Sequence, residues 1–193
     1  MAIFRILCPQ FALPNTMPKL ILYIAISLDG KIARSDGGLD WLENHPNPNG
    51  LDYGYADFLA GIGTTIMGRR TYEEILGFGI DWPYIGLQSY VASSDPAYRC
   101  TTPDTFPIHS DLGELVKNLK TTADKDIWLI GGGNLVSHFL EQDLLDELIL
   151  TIIPTILGEG IPLFPGNQIE SNWQLKDAKS FKTGVVNLHY VKG

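Results

Sequence analysis

The ten residues Ile66–Ile75, "IMGRRTYEEI", place a strand end, a glycine, two arginines and a helix start in immediate succession. "TTIMG" has the β-branched, apolar character of a short strand. "RRTYEEIL" then reads as a helix. A helix N-terminus offers unpaired N–H groups and the positive end of a dipole, which together suit a phosphate. Gly68 permits close backbone approach, while Arg69 and Thr71 add a cation and a hydroxyl. Arg70 reads as a solvated helix cation.

Two other strand ends have the same character. In "WLIGGGNLV", Trp128–Val136, Gly131, Gly132 and Gly133 stand between an apolar strand and the helix begun by Asn134. Glycine disfavours order, so three in succession need a reason: a ligand against the backbone or a tight strand-to-helix turn. In "VASS", Val91–Ser94, a strand closes on two hydroxyls, Ser93 and Ser94. Neither common nucleotide motif accounts for these features. The third glycine of G-x-G-x-x-G is replaced by Val136, no acid ends the strand about 20 residues later, and no G-K-[ST] follows.

Around these ends the chain alternates strands and helices. "KLILYIAIS" (19–27) is a nearly continuous apolar run, as in a strand buried on both faces. Residues 34–50 read as a long Gly/Asn/Pro/Asp loop. Residues 51–63 read as a helix with Leu51, Tyr55, Phe58, Leu59 and Ile62 on one face. "FGIDWPYIG" is a loop, "QSYVASS" a strand and "DTFPIH" a minor one. "SDLGELVKNLKTT" is a helix capped by Ser110 or Asp111. "KDIWLI" and "LDELILTIIPTI" are strands flanking a helix near 134–141, and two final strands meet at a turn at 182–184. This order predicts a three-layer α/β domain with a mostly parallel mixed sheet and an antiparallel C-terminal hairpin.

The 193 residues suit one domain, with residues 1–17 as an apolar N-terminal extension and 18–193 as the body. A net charge of −8 argues against nucleic acid as a partner. No apolar run is long enough to span a membrane. Cys8 and Cys100 form no disulfide framework, which points to the cytoplasm. The four histidines share no ligand spacing, so no metal is expected. The apolar arm is expected to pack on the body or on a second copy, giving a homodimer.

Taken together, "MGRRTYEE", "SS" and "GGG" resemble the dihydrofolate reductase superfamily from about Lys19 to the C-terminus. "AISLDGKIA" (25–33) and "LDELILTIIPTILGEGIPLFP" (145–165) are closer to the reductase domain of the bifunctional riboflavin-pathway deaminase–reductase and its stand-alone relatives. The zinc signature of the deaminase half is missing. "MGRRTYEE" departs from the G-x-x-T-V pattern expected of the riboflavin enzyme, leaving the exact substrate open.

The resemblance implies an NADPH-dependent reductase of a pyrimidine-type small molecule, akin to the 5-amino-6-(5-phosphoribosylamino)uracil reductase. A dihydrofolate reductase and a non-catalytic NADPH-binding module are the alternatives. It implies that Gly68, Arg69, Thr71, Ser93, Ser94, Gly131, Gly132, Gly133 and Asn134 hold the dinucleotide. The backbones of Ala25 and Ile26, in an edge-strand arrangement, would meet the nicotinamide. Asp52 would be the substrate acid, its pKa raised by burial, with Thr151 beside it. Trp41 would wall the pocket, and Lys31 and Arg34 would hold a substrate phosphate. Bare-sequence readings compete: Asp52 as an acid complementing a helix dipole, Thr151 as an ordinary strand threonine, Lys31 and Arg34 as surface charge. Asp57 reads as solvated.

Overall fold

The computed structural model describes residues 17–166 and 169–193. The extension expected over residues 1–17 lies, apart from Met17, outside the described residues. In chain order the elements are β1 (Leu20–Ser27), β2 (Lys31–Ala33), α1 (Asp40–Glu43), α2 (Tyr55–Ala60), β3 (Ile62–Gly68), α3 (Arg69–Gly77), β4 (Gln88–Ala92), β5 (Thr105–Ile108), α4 (Leu112–Thr122), β6 (Asp126–Gly131), α5 (Gly133–Glu141), β7 (Glu147–Ile153), β8 (Ile161–Pro162), β9 (Trp173–Ser180) and β10 (Val186–Lys192).

The main sheet has the order β5-β4-β3-β6-β1-β7-β10-β9. Strands β5 through β7 in that order are parallel, and β10 and β9 are antiparallel additions. β2 and β8 form a small separate ladder. The apolar run of β1 follows from its central place, because alternate side chains enter different layers. Leu20, Leu22 and Ile26 join the core beneath α4 and α5, with Val116, Val136 and Phe139. Tyr23 faces the opposite layer, against Tyr55 and Phe58 of α2 and Trp128.

The two ends of the sheet differ. At the start of β7, Glu147 is buried and bonded to Lys19 and His189, each at 2.5 Å. Burial pushes the Glu147 carboxyl up, but its hydrogen bonds to Lys19 and His189 prevail and leave it below the usual range. At the other end, β1, β3, β4 and β6 finish together, where ligands bind in open α/β sheets.

Two expectations need correction. The helix read over 51–63 is only Tyr55–Ala60, because Tyr53 (φ 55°) and Gly54 (φ 90°) are both left-handed and break it. Leu51 is therefore exposed, and Ile62 belongs to β3. The loop read over 34–50 contains α1. The loop after α3 is a loop as read, and it buries Trp82 and Tyr84 against Tyr72 and Trp128. The cap of α4 is Asp111, whose carboxylate accepts from the N–H groups of Gly113 and Glu114.

Candidate functional site

The site begins as a parting of two strands. β1 pairs with β6 only from Leu20↔Ile127 to Leu22↔Leu129. Beyond that point β6 pairs with β3 as far as Met67↔Gly131, while β1 pairs with β7 through Ser27↔Ile153. The Trp128 indole N–H reaches across the parting to the Tyr23 carbonyl at 3.0 Å. Ala25 and Ile26 thus lie on a central strand, which corrects the edge-strand expectation. One flank of this half of β1 is nevertheless free of the β6 ladder. Ala25 lines the opening, whereas the Ile26 side chain is in the core.

Beside the parting, two helices begin without side-chain caps. α3 starts from Gly68 and α5 from Gly132, in contrast to the Asp111-capped α4. These starts are neighbours. A Cβ on Gly68 would lie 4.0 Å from the Gly131 carbonyl oxygen, and one on Gly132 would lie 3.5 Å from the Thr71 hydroxyl. Their first-turn N–H groups therefore serve one corner. Arg69 stands over the Tyr98 ring at 5.4 Å, with carboxylates of Glu73 at 3.6 Å and Asp95 at 4.0 Å. The Asp95 N–H donates to the Ser93 hydroxyl at 3.2 Å, so Arg69 and the end of β4 share that corner. Ser94 and Asn134 are exposed there.

The three consecutive glycines have different causes. Gly131 (φ 133°) and Gly132 (φ 50°, ψ 140°) adopt backbone conformations that L side chains rarely enter. A Cβ on Gly131 would also come within 3.1 Å of Ile24. Gly133 is required by packing: its Cβ would lie 2.6 Å from the Pro162 carbonyl oxygen. The uncapped helix starts, the open Gly132 side and the nearby guanidinium fit the phosphates of a nicotinamide dinucleotide. At Gly133 packing forbids a side chain, while its N–H remains in the first turn of α5.

On the α2 side of the parting is a cavity of about 420 Å³, within the range for small-molecule sites. Its aromatic walls are Tyr23, Tyr53 and Trp128; its polar groups are Glu43, His45, Asn47, Asp52 and Thr151. Asp52 lines it and Asp57 does not. The Asp52 carboxylate accepts from Gly54 N–H at 3.0 Å and Ala56 N–H at 3.1 Å. These bonds hold its carboxyl below the usual range. The expected burial and raised pKa are thus corrected: Asp52 is an exposed, fixed anion. Thr151 is buried, and burial pushes the Tyr23 hydroxyl up against the influence of its hydrogen bond to Thr151.

Three other expected residues sit elsewhere. Trp41 is buried against Ile153 and Val185 behind the cavity, and its helix instead presents Leu42 and Glu43. Arg34 is held by Asp40 in a two-point pair at 2.5 and 2.8 Å, and Lys31 is on β2. Neither cation lines the cavity. Sequence reading missed Tyr23, Glu43, His45 and Trp128. Period-2 alternation places Tyr23 on the Ile21/Ala25 face of β1, but its use depends on the parting from β6. His45, in "NHPNPN", carries no signal of its own. Its Nε2 is buried and has no hydrogen-bond partner among the described residues.

A family model for the RibD C-terminal domain matches residues 88–187, more than half of the chain. The uncharacterised protein YwjB of Bacillus subtilis is 40% identical over 174 residues, covering 90% of this chain and 98% of YwjB. The chain belongs to the RibD C-terminal domain family. Its structure is similar to that of a protein of Shewanella sp. PV-4 described as a riboflavin biosynthesis protein, with TM-score 0.82 and 29% identity, covering 91% of this chain and 99% of that one. Dihydrofolate reductase from Enterococcus faecalis, complexed with NADP(H), shares the fold with TM-score 0.66 and 19% identity, over 92% of this chain and 98% of that enzyme. The chain therefore has a dihydrofolate-reductase-like fold. The Gly68–Thr71 helix start lies outside the stretch matched by the family model.

Proposed function

We propose that this RibD-like protein is an NADPH-dependent reductase of a pyrimidine-type small molecule. The observation carrying this reading is the parting of β1 from β6, with two uncapped helix starts on one side and a polar-aromatic cavity on the other. In this reading residues 18–193 form the reductase domain, acting in the cytoplasm as a homodimer.

Bound NADPH would supply a hydride. Arg69, Thr71, Ser93, Ser94, Gly131, Gly132 and Asn134 would hold it, with Ala25 beside the nicotinamide. The extra phosphate that distinguishes NADPH is matched to the Arg69 cation and the Ser93 and Ser94 hydroxyls. Asp52 orients the substrate as a permanent anion, and its fixed carboxylate favours positive charge developing on a heterocycle as it takes a proton from water. Thr151, through Tyr23, sets the position of the phenol in the wall. Tyr23, Tyr53 and Trp128 give the ring flat apolar contact.

The test is the loss of NADPH absorbance when purified protein meets a diaminopyrimidine riboside, its 5′-phosphate, or dihydrofolate. Oxidation with either pyrimidine and none with dihydrofolate is expected. Turnover of dihydrofolate alone, or of no compound, contradicts the proposal.

A further inference from the structure

The chemistry of the cavity mouth narrows the substrate class, given the reductase reading above. Residues 34–52, which lead from β2 to the Asp52 turn, contain one cation, Arg34, against four carboxylates: Asp36, Asp40, Glu43 and Asp52. Arg34 is tied to Asp40 at two points. Glu43 and Asp52 both line the cavity, and among the described residues no lysine or arginine does. Lys179 acts on Asp52 at longer range, while its ammonium sits 5.2 Å over the Phe181 ring. His45 adds a buried ring nitrogen with no hydrogen-bond partner among the described residues.

A low-dielectric cavity lined by one sign of charge concentrates ligands of the opposite sign and repels its own. A phosphate dianion brought to this mouth would meet two carboxylates with no paired cation to receive it. A neutral or protonated ring meets attraction instead, and the aromatic walls take its faces. We infer that the substrate is an unphosphorylated, neutral or basic nitrogen heterocycle, selected at the mouth by Glu43 and Asp52. This separates the chain from reductases that take ribosylaminopyrimidine phosphates, although the fold is shared.

The experiment is calorimetric binding of a diaminopyrimidine riboside and of its 5′-phosphate to the full chain, with saturating NADPH, at low and high salt. The riboside is expected to bind roughly tenfold or more tightly, with the gap narrowing at high salt as the repulsion is screened. Glu43→Lys, at an exposed position, is expected to shrink the gap. Equal affinities, tighter binding of the phosphate, or binding of neither compound would overturn the inference. If the phosphate wins and Lys179→Ala abolishes its advantage, Lys179 is the missing receiver. Riboside preference without NADPH oxidation would leave this inference standing and reject the reductase reading.

Discussion

The two sides of the β1–β6 parting are built by different means. The side proposed for the dinucleotide is made mainly of backbone: uncapped helix starts at Gly68 and Gly132 and the left-handed turn at Gly131–Gly132. The cavity side is made of side chains from distant segments, Tyr23 on β1, Asp52 before α2, Trp128 on β6 and Thr151 on β7. A backbone site fixes a generic ligand part, a phosphate, and depends on local conformation. A side-chain site sets specificity and changes with each residue. Substitutions should therefore divide into those that alter cofactor grip or folding and those that alter turnover of one substrate.

The largest effect is expected on the cavity side. Asp52→Asn should lower turnover roughly 10²-fold or more, the scale of a positioned acid–base or charged group, with NADPH affinity nearly unchanged. Asp57→Asn, in the first turn of α2 and outside the cavity, should leave both intact. Steady-state kinetics and NADPH titration of the two variants break the comparison if Asp57→Asn is the damaging one.

Within the glycine loop the comparison can be sharpened. Gly133→Ala would drive a methyl into the Pro162 carbonyl and should destabilise the fold by about 1–3 kcal/mol, the usual cost of overpacking. The fraction that remains folded should bind NADPH normally. Unchanged thermal stability with lost cofactor binding would make Gly133 part of the dinucleotide site.

Arg69→Ala should remove most of a roughly tenfold preference for NADPH over NADH, about 1.4 kcal/mol, leaving turnover at saturating cofactor little changed. Equal Kd values for NADPH and NADH in the parent protein contradict this assignment.

The smallest effect concerns Asp29, which joins the end of β1 to the loop after β7. It accepts from the N–H groups of Leu157 and Gly158 and from the Ser27 hydroxyl. The Leu157 and Ser27 bonds are the leading reasons its carboxyl falls from 3.8 to about 2. A depressed folded-state pKa stabilises above the unfolded value and loses that contribution as pH falls through the folded one. Asp29→Asn should therefore lower Tm modestly at neutral pH. Its difference from the parent should narrow below about pH 4 and close near pH 2. A pH-independent difference in thermal scans would show that the charge of Asp29 is immaterial.

The same division governs what could be read from sequence. Alternating strands and helices with glycines at strand ends have few alternative explanations, so the layers and the mixed sheet were legible before the structure. Gly133 was read with its neighbours because its cause, the Pro162–Pro165 segment about 30 residues on, is invisible locally. On the cavity side, the helix was read through Tyr53 and Gly54 because apolar periodicity there outweighed the glycine signal. That error gave Asp52 a buried helical setting instead of an exposed turn. Arg34 was read as available because its partner Asp40 is six residues away, a spacing that no helix or strand pattern pairs. Trp41 was placed in the wall by the family resemblance, whereas α1 turns it inward and Glu43 outward.

The central claim is that the uncapped helix starts beside the β1–β6 parting hold a nicotinamide dinucleotide phosphate. The most direct measurement is calorimetric titration of the unmodified chain with NADPH and NADH. One site per chain, with NADPH bound roughly tenfold or more tightly, is the expected result. No heat of binding with NADPH up to millimolar concentration would contradict the claim.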